Sequence, residues 1–589
     1  MGKEKKKMGQ KRRKRKKSQA ATLTAWLLAL VAIGSVCYLA MQIFMPNYES
    51  QNFRDYFELD PEELVVVVRD QRLQGAGVMS RNGEIYFSAE FVSEHFDNTI
   101  FWDDNTSKLT IVNGGRVLRM KAGESAYYYN DEPTDMEFPV EVSGGRCWLP
   151  RSLVTILYPV SVTVSQRENI AFVEFLEEER ETSEIAASSA SIRYKPDKKA
   201  IIEERLMQGD RVGVFAVEGD FTRVRTESGL LGYCLTRDLG EREKIAPQPK
   251  APDPVYPERK PISGKVSMVW DQVFSREANT PPELLPGLDV ISPTWLTFDI
   301  YALDGDLVDI GDQSYVDRAH SLGLQVWPLI SDFSSNPDIA LNSHITSKIL
   351  SNTDMRDYVI KQLRALIDFS GLDGINVDFE YVQPADARHY IQFFRELYPQ
   401  MRAKGKALSV DMYNPDLPGY WSQYYNRTEV GKNVDYLCVM AYDENSDSPE
   451  AGPNASISFV QEGLEKTMEE VPKEKVVLGL PFYSRIWEEV DDGGNISASN
   501  VARAMDDAIA FFESRNGEIS WDEVLKNRYA EYSTMSNGKP VTYKAWLEDG
   551  RSLEAKLELA QRLEIAGVSG WKRGLESSGI WSLINNYMP

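Results

Sequence analysis

The chain has 589 residues, 42% of them hydrophobic and 26% charged, with a net charge of −23. That length implies several domains, and the apolar content excludes global disorder. The acidic balance excludes a general affinity for polyanions, so no nucleic-acid partner is expected.

The N-terminus is the exception to the acidic balance. Residues 1–17 hold eleven Lys or Arg against one Glu, leaving −33 on the rest of the chain. This basic tail, 1–20, is followed by an apolar run, 21–45, broken only by Thr22, Thr24, Gly34, Ser35 and Gln42. About 25 residues rising about 1.5 Å each can cross a bilayer core. Cations precede the run, and Glu49, Asp55, Glu58 and Asp60 follow it. The positive-inside rule then predicts a cytoplasmic N-terminus, a single membrane anchor and an extracellular body. A cleaved signal peptide is the competing reading, but the run is long for one and no small-x-small site precedes Pro46.

Residues 53–175 hold an internal repeat at an offset of 62. It pairs Tyr86 with Trp148, Val92 with Val154, Phe96 with Tyr158, Ile100 with Val162 and Ile111 with Val173. Each copy reads as a short strand, a short helix and two alternating strands. The segment resembles the α+β repeat domain named after the copper amine oxidase N-terminus. With His95 its one histidine, no metal is expected, and the resemblance implies a wall-binding module or a spacer.

Glu177 to Ala190 is charged, then small and polar, and reads as a linker. Residues 188–240 carry the short strands IRYKP, RVGVFAV, FTRVRT and GLLGYCL with glycines at their turns, which predicts a small β-barrel. The pattern resembles a bacterial SH3 domain, a class that often binds the cell wall. Residues 241–262 are rich in Pro and charge and read as a semi-stiff connector.

From 263 to 589 eight strand-like runs alternate with helical patterns. They are VSMVW, VISPTWLTF, QVWPLI, GINVDFE, LSVDMY, YLCVMAYD, VVLGLPFY and GVSGW. The order predicts an α/β fold of the TIM (β/α)8 class, with an α+β insertion at about 488–550. No phosphate loop or GxGxxG supports a doubly wound sheet instead.

The fourth run, within DGINVDFE (373–380), carries the chemistry. On a strand, alternate side chains share a face, so Asn376, Asp378 and Glu380 point one way while Ile375, Val377 and Phe379 point the other. Such a row at the C-terminal end of a barrel strand sits where this fold places active sites. The motif resembles the DxxDxDxE signature of glycoside hydrolase family 18. CVMAYDE (438–444), GLPFYSRIWE (479–488) and AGVSGWKRGLE (566–576) resemble three further strands of that family, nearest its spore-cortex and cell-wall N-acetylglucosaminidase branch.

The resemblance implies substrate-assisted hydrolysis, in which the sugar's own 2-acetamido oxygen attacks the anomeric carbon. Glu380 would be general acid and base, Asp378 would orient the acetamido group, and Tyr442 would hydrogen-bond its oxygen. Asp373 and Asn376 join the site through the motif, Met440 and Asp443 would shape its floor, Arg485 would contact the neighbouring sugar and Trp571 would stack beneath the reacting ring. No cofactor and no metal is implied. The buried walls offer Trp270, Trp295 and Trp327 as core or as sugar platforms.

One departure stands out. Asn376 occupies the position of the family's middle aspartate, which removes a carboxylate pair sharing a proton. The pH profile is therefore expected to follow mainly Glu380. The sequence reading as a whole is a membrane-anchored extracytoplasmic glycosidase of a Gram-positive-type bacterium. It would cleave β-1,4-linked N-acetylglucosamine in peptidoglycan, with the wall and the membrane as partners. A non-catalytic glycan-binding scaffold and a chitinase are the alternatives.

Overall fold

The computed structural model describes residues 3–589 except 61, 74–76, 114, 130, 166–168, 250–254, 263, 303, 334–337 and 416–423. The side chains of 3–21, 43–44 and 339 also fall outside it, so the side chains of the basic tail, and part of the connector, lie outside the described residues. The chain forms two compact units, one of residues 1–91 and 148–252, the other of 92–147 and 253–589.

The first unit contains the helix Lys3–Phe44. Its stretch Thr22–Gln42 has a mean hydropathy of 2.1 and none of it is buried. By length and composition this helix can cross a membrane. Beyond it, Val65–Val68 runs parallel to Ile170–Val173, over a core of Phe53, Val65, Val67, Ile170, Phe172 and Leu230. A separate seven-stranded antiparallel sheet spans 180–245.

The segment read as a linker is largely strand. Arg180–Ile185 pairs with residues 211–214 on one side and with Leu239–Ile245 on the other. Its charges are matched by neighbours, Arg180 by Glu174 and Glu181 by Arg242. Cross-strand ion pairing of this kind suits a partly exposed strand as well as it suits a linker.

The sequence repeat carries over element by element. Glu84–Ser88, Ala89–His95, Phe101–Asp103 and Lys108–Asn113 answer to Arg146–Pro150, Arg151–Leu157, Val160–Ser165 and Ile170–Phe175. Yet residues 92–147 belong to the second compact unit, so the segment expected as one domain, 53–175, contributes to both. A five-stranded meander over 101–135 packs there on the helices Thr353–Ser370 and Ala387–Ala403. Arg119 bridges Asp357 at 2.8 Å and Glu396 at 2.9 Å, and Glu396 also holds the fully buried Arg356 at 3.2 Å.

The rest of the second unit is a closed barrel of eight parallel strands. They are β1 (Val266–Asp271), β2 (Val290–Pro293 and Leu296–Phe298), β3 (Gln325–Val326 and Leu329–Ser331), β4 (Gly374–Asp378), β5 (Ala407–Tyr413), β6 (Tyr436–Met440), β7 (Val476–Pro481) and β8 (Gly567–Trp571). Closure follows from β8, which pairs with both β7 and β1. β2 and β3 are each interrupted, and their pieces pair separately.

The helix Thr353–Ser370 shows how β4 is aimed. Asn352 caps its start by accepting from the Asp354 and Met355 N–H groups. Val359, Ile360, Leu363 and Ile367 form its buried stripe. Gly371 ends it at φ 67°, a left-handed conformation that glycine adopts without strain. The chain then turns into β4, whose Ile375, Val377 and Phe379 face outward onto the helices, with the Phe379 ring 5.4 Å from that of Phe393. Burying a side chain of this size contributes about 1.5–3 kcal/mol and locks the strand's rotation. Between β7 and β8 a five-stranded antiparallel lobe spans 483–547. It begins slightly before the expected 488 because Tyr483–Asp492 continues from the end of β7 as the lobe's own strand.

Candidate active site

Because Phe379 and its odd-numbered neighbours are anchored outside, Asn376, Asp378 and Glu380 turn into the barrel as alternation requires. Asn376 is fully buried, whereas Asp378 and Glu380, at and just beyond the C-terminal end of β4, keep partial exposure. The acid therefore opens to the barrel mouth rather than packing against the outer helices.

Glu380 is held from two sides. Its backbone N–H donates to Asp332 Oδ1 at 2.7 Å, and the next N–H, of Tyr381, donates to Asp332 Oδ2 at 2.8 Å. The Tyr413 hydroxyl, at the end of β5, donates to Glu380 Oε2. Burial raises the Glu380 carboxyl above the usual range, against the Tyr413 hydrogen bond, which lowers it. Burial, then the charges of Glu380 and Asp411, hold Asp378 well above the ordinary range. Asp332 is pushed up to about 7 by burial, in spite of its two backbone donors.

Asp411, on β5, was not among the residues singled out from the sequence. It is 1% exposed, and its Oδ1 accepts from Asn376 Nδ2 at 2.9 Å while its Oδ2 accepts from Trp270 Nε1 at 3.1 Å. Burial pushes it up to about 7. Asp332, Asp378 and Asp411 are thus raised together with Glu380, the acid expected mainly to shape the pH profile, and such neighbouring carboxyls titrate as a group. The signal was available: LSVDMY puts Ser409, Asp411 and Tyr413 on one face, in the same alternation as β4.

Tyr442 follows β6, nearly buried, with its ring 6.2 Å from that of Tyr483. Gly479 on β7 leaves room for it, since a Cβ there would lie 3.2 Å from the Tyr442 ring and 2.7 Å from the Val439 carbonyl oxygen. Asp443 sits at φ 62° and accepts from Tyr483 Oη at 2.5 Å and from Arg485 Nη2 at 2.6 Å. Arg485 also donates to Asn500 Oδ1 at 2.8 Å, so it clamps the lobe to the barrel rim. Burial opposes the Arg485 charge, but Asp443 beside it raises its pKa overall. Trp571 closes β8, half-buried, 6.0 Å from the Trp270 ring.

Asp373 is a correction. It lies at the N-terminal end of β4, the opposite end of the barrel, where its Oδ2 meets His320 Nε2 at 2.8 Å and the Val326 N–H at 3.0 Å. Eight residues of motif span the barrel's height, so its first carboxylate cannot reach the mouth that its last one lines. Asn376 sits one layer beneath the mouth, and Met440 belongs to the core. Trp270, Trp295 and Trp327 are buried, and each indole N–H has a protein acceptor, which makes them core rather than sugar platforms.

A barrel mouth with a proton-holding carboxyl, a second carboxyl beside it and a tyrosine nearby can protonate a leaving oxygen and steady a developing positive charge. Comparison with known proteins gives that chemistry a family. Residues 342–576 match the model of the glycosyl hydrolases family 18.

This part of the chain is similar to the family 18 glycosidases.

Residues 67–173 match the copper amine oxidase N-terminal domain. Similar curated proteins include the uncharacterized glycosylase YvbX of Bacillus subtilis (strain 168), 26% identical over 295 residues, which are 49% of this chain and 82% of that one. The cortical fragment-lytic enzyme of the same organism is 27% identical over 219 residues, covering 37% of this chain and half of that one. Among solved structures, the Bacillus cereus spore cortex-lytic enzyme SleL aligns with a TM-score of 0.48 at 20% identity, over 60% of this chain and 78% of that one. The family 18 match begins at 342, so β1 to β3 with Asp332 lie outside it, while β4 to β8 and every residue of the mouth named from the sequence lie inside.

Proposed function

We propose that the chain is a membrane-anchored, extracytoplasmic hydrolase of β-1,4-linked N-acetylglucosamine in a cell-wall glycan, acting by substrate-assisted retention. Glu380 protonates the glycosidic oxygen and later activates water. Asp378 holds the 2-acetamido N–H and stabilises the cyclic cation formed when the acetamido oxygen attacks the anomeric carbon. Tyr442 donates to that oxygen, and Trp571 stacks beneath the ring. Arg485 and Asp443 bound the neighbouring subsite through the lobe. The observation that carries this reading is the pairing of Asp378 and Glu380 on one inward face at the mouth, the acid partly exposed and held from behind by Asp332.

Two carboxyls on one side of a sugar suit an acid and an orienting group, not an acid and a nucleophile on opposite faces. The apolar helix at 22–42 supports an anchor with the body outside, and the cationic segment before it supports the orientation. The seven-stranded sheet, read as an SH3-like module, and the repeat domain support retention at the wall.

The test is zymography on purified murein beside hydrolysis of chitin oligomers, with the full chain and Glu380→Gln. Clearing of murein by the wild type alone is expected. Equal clearing by both proteins would refute the reading, and cleavage of chitin without murein would move the substrate to chitin.

A further inference from the structure

Position 376 offers an amide where the signature's spacing leads one to look for a carboxylate, and that amide is fully occupied. Asn376 Nδ2 donates to Ser409 Oγ and to Asp411 Oδ1, each at 2.9 Å, while its Oδ1 accepts from Trp270 Nε1 at 3.0 Å and from Ser292 Oγ at 3.3 Å. Nothing of it is left for Asp378, whose Oδ1 is buried without a hydrogen-bond partner. A buried carboxylate oxygen left open is costly unless a ligand or a shared proton meets it.

The neighbouring strand supplies the missing group. β5 pairs with β4 in the register Asn376 to Ser409 and Val377 to Val410, so Asp411 follows beside Asp378 at the next step of the ladder. Adjacent strands lie about 4.8 Å apart. We infer that Asp411 does for Asp378 what a carboxylate at 376 would do: the two hold one proton between them, and Asp411 keeps it when Asp378 meets the sugar amide as an anion. The proton moves between two carboxyl oxygens and none is gained or lost.

Asp411 is a positioning residue in this scheme, acting through Asp378. The groups facing it are Asn376 and Asp378 from β4, Glu380 just beyond it, Trp270 from β1, Cys438 and Tyr442 from β6 and its end, and Tyr390 from the helix Ala387–Ala403. No cation is among them. A carboxylate this deep without a cation favours its neutral form, and Asp378 beside it is also held well above the ordinary range, so the pair as a whole favours keeping a proton. Burial pushes Asp411 up to about 7, so it is partly protonated at neutral pH.

The inference rests on the hydrolase reading above, and its test separates the two. The full chain in detergent is compared with Asp411→Asn and with the exchange Asn376→Asp/Asp411→Asn, which moves the carboxylate across the same hydrogen bond. The probe is a fluorogenic N-acetylglucosamine trimer, followed as kcat and KM against pH. Asp411→Asn is expected to lower kcat roughly tenfold or more with KM little changed and to displace the pH profile in a chain that still folds cooperatively; the exchange is expected to recover most of kcat.

A second readout does not need turnover. Infrared difference titration of wild type against Asp411→Asn is expected to show a protonated-carboxyl band at pH 7 that the variant lacks. Loss of that band in a chain that fails to cleave the probe would sustain the shared proton and refute the hydrolase reading. Wild-type kcat and pH profile in Asp411→Asn, or no protonated carboxyl at neutral pH, would overturn the inference.

Discussion

Asp332 accepts the backbone N–H of Glu380 at 2.7 Å, and through this bond β3 fixes where the acid at the end of β4 sits. The same carboxyl takes the Tyr381 N–H and the Thr346 hydroxyl, so one buried group orders the turn that follows β4. The arrangement resembles a helix cap turned to another purpose: orphan N–H groups meet one carboxyl, and the side chain they carry is aimed.

Removing that cap should misplace the acid. Asp332→Ala leaves two N–H groups without their acceptor, at about 1–3 kcal/mol each. It is expected to lower kcat by roughly a hundredfold with a smaller change in KM. Asp332→Asn keeps one acceptor oxygen and is expected to fall between. Steady-state kinetics on an N-acetylglucosamine oligomer checks the order; a wild-type kcat in Asp332→Ala would remove the claim.

Tyr413 tunes the acid. Its hydroxyl donates to the Glu380 carboxyl and so favours the charged form. Tyr413→Phe removes that donor and raises the Glu380 pKa further. A general acid works while protonated, so the alkaline limb of kcat/KM should move to higher pH. A limb that stays put, or moves to lower pH, contradicts the assignment.

How much of this was legible beforehand depends on the distance between partners. The period of two along β4 placed Asn376, Asp378 and Glu380 on one face, because Phe379 and Val377 had nowhere to go but the helix layer. Eight strands separated by helical patterns gave the barrel. Asp373 was misread because a shared motif hides the barrel's height: its carboxylate serves the closed end. Asp332, Asp411 and Tyr413 were missed because they act through neighbouring strands, and register between β3, β4 and β5 is not written in any one of them. The strand at 180–185 looked like a linker because the strands it pairs with, at 211–214 and 239–245, are distant in sequence.

Stability should fall as pH rises through neutrality. Asp332 and Asp411 have folded pKa values of about 7, above the unfolded range near 4. Between those limits the folded protein binds more protons than the unfolded chain, so each rise in pH costs stability there. Melting of the second compact unit is expected at higher temperature at pH 5 than at pH 8. Asp411→Asn should narrow that gap mainly by raising the value at pH 8; an unchanged gap would contradict it.

The meander at 101–135 is tied to the barrel by a buried charge network. Glu396 and Arg356 are fully buried, and Arg119 supplies a second cation to Glu396. Arg119 and Arg356 hold the Glu396 carboxyl below the usual range in spite of burial, which pushes the other way. Arg119→Met leaves Glu396 with Arg356 alone and Asp357 with Lys361 alone, at about 3 kcal/mol for the buried part of the network. Hydrogen exchange is expected to rise in 101–135 ahead of the barrel strands. Uniform exchange across both would mean that the meander is not held this way.

The central claim is that Glu380 donates a proton while the sugar's acetamido group attacks. It is tested most directly by the initial hydrolysis rates of an N-acetylglucosamine oligomer and of its de-N-acetylated twin, with the full chain and with Glu380→Gln. The expected result is cleavage of the acetylated oligomer alone, with loss of roughly a thousandfold or more in the variant. Comparable cleavage of the twin, or a wild-type rate in Glu380→Gln, would contradict it.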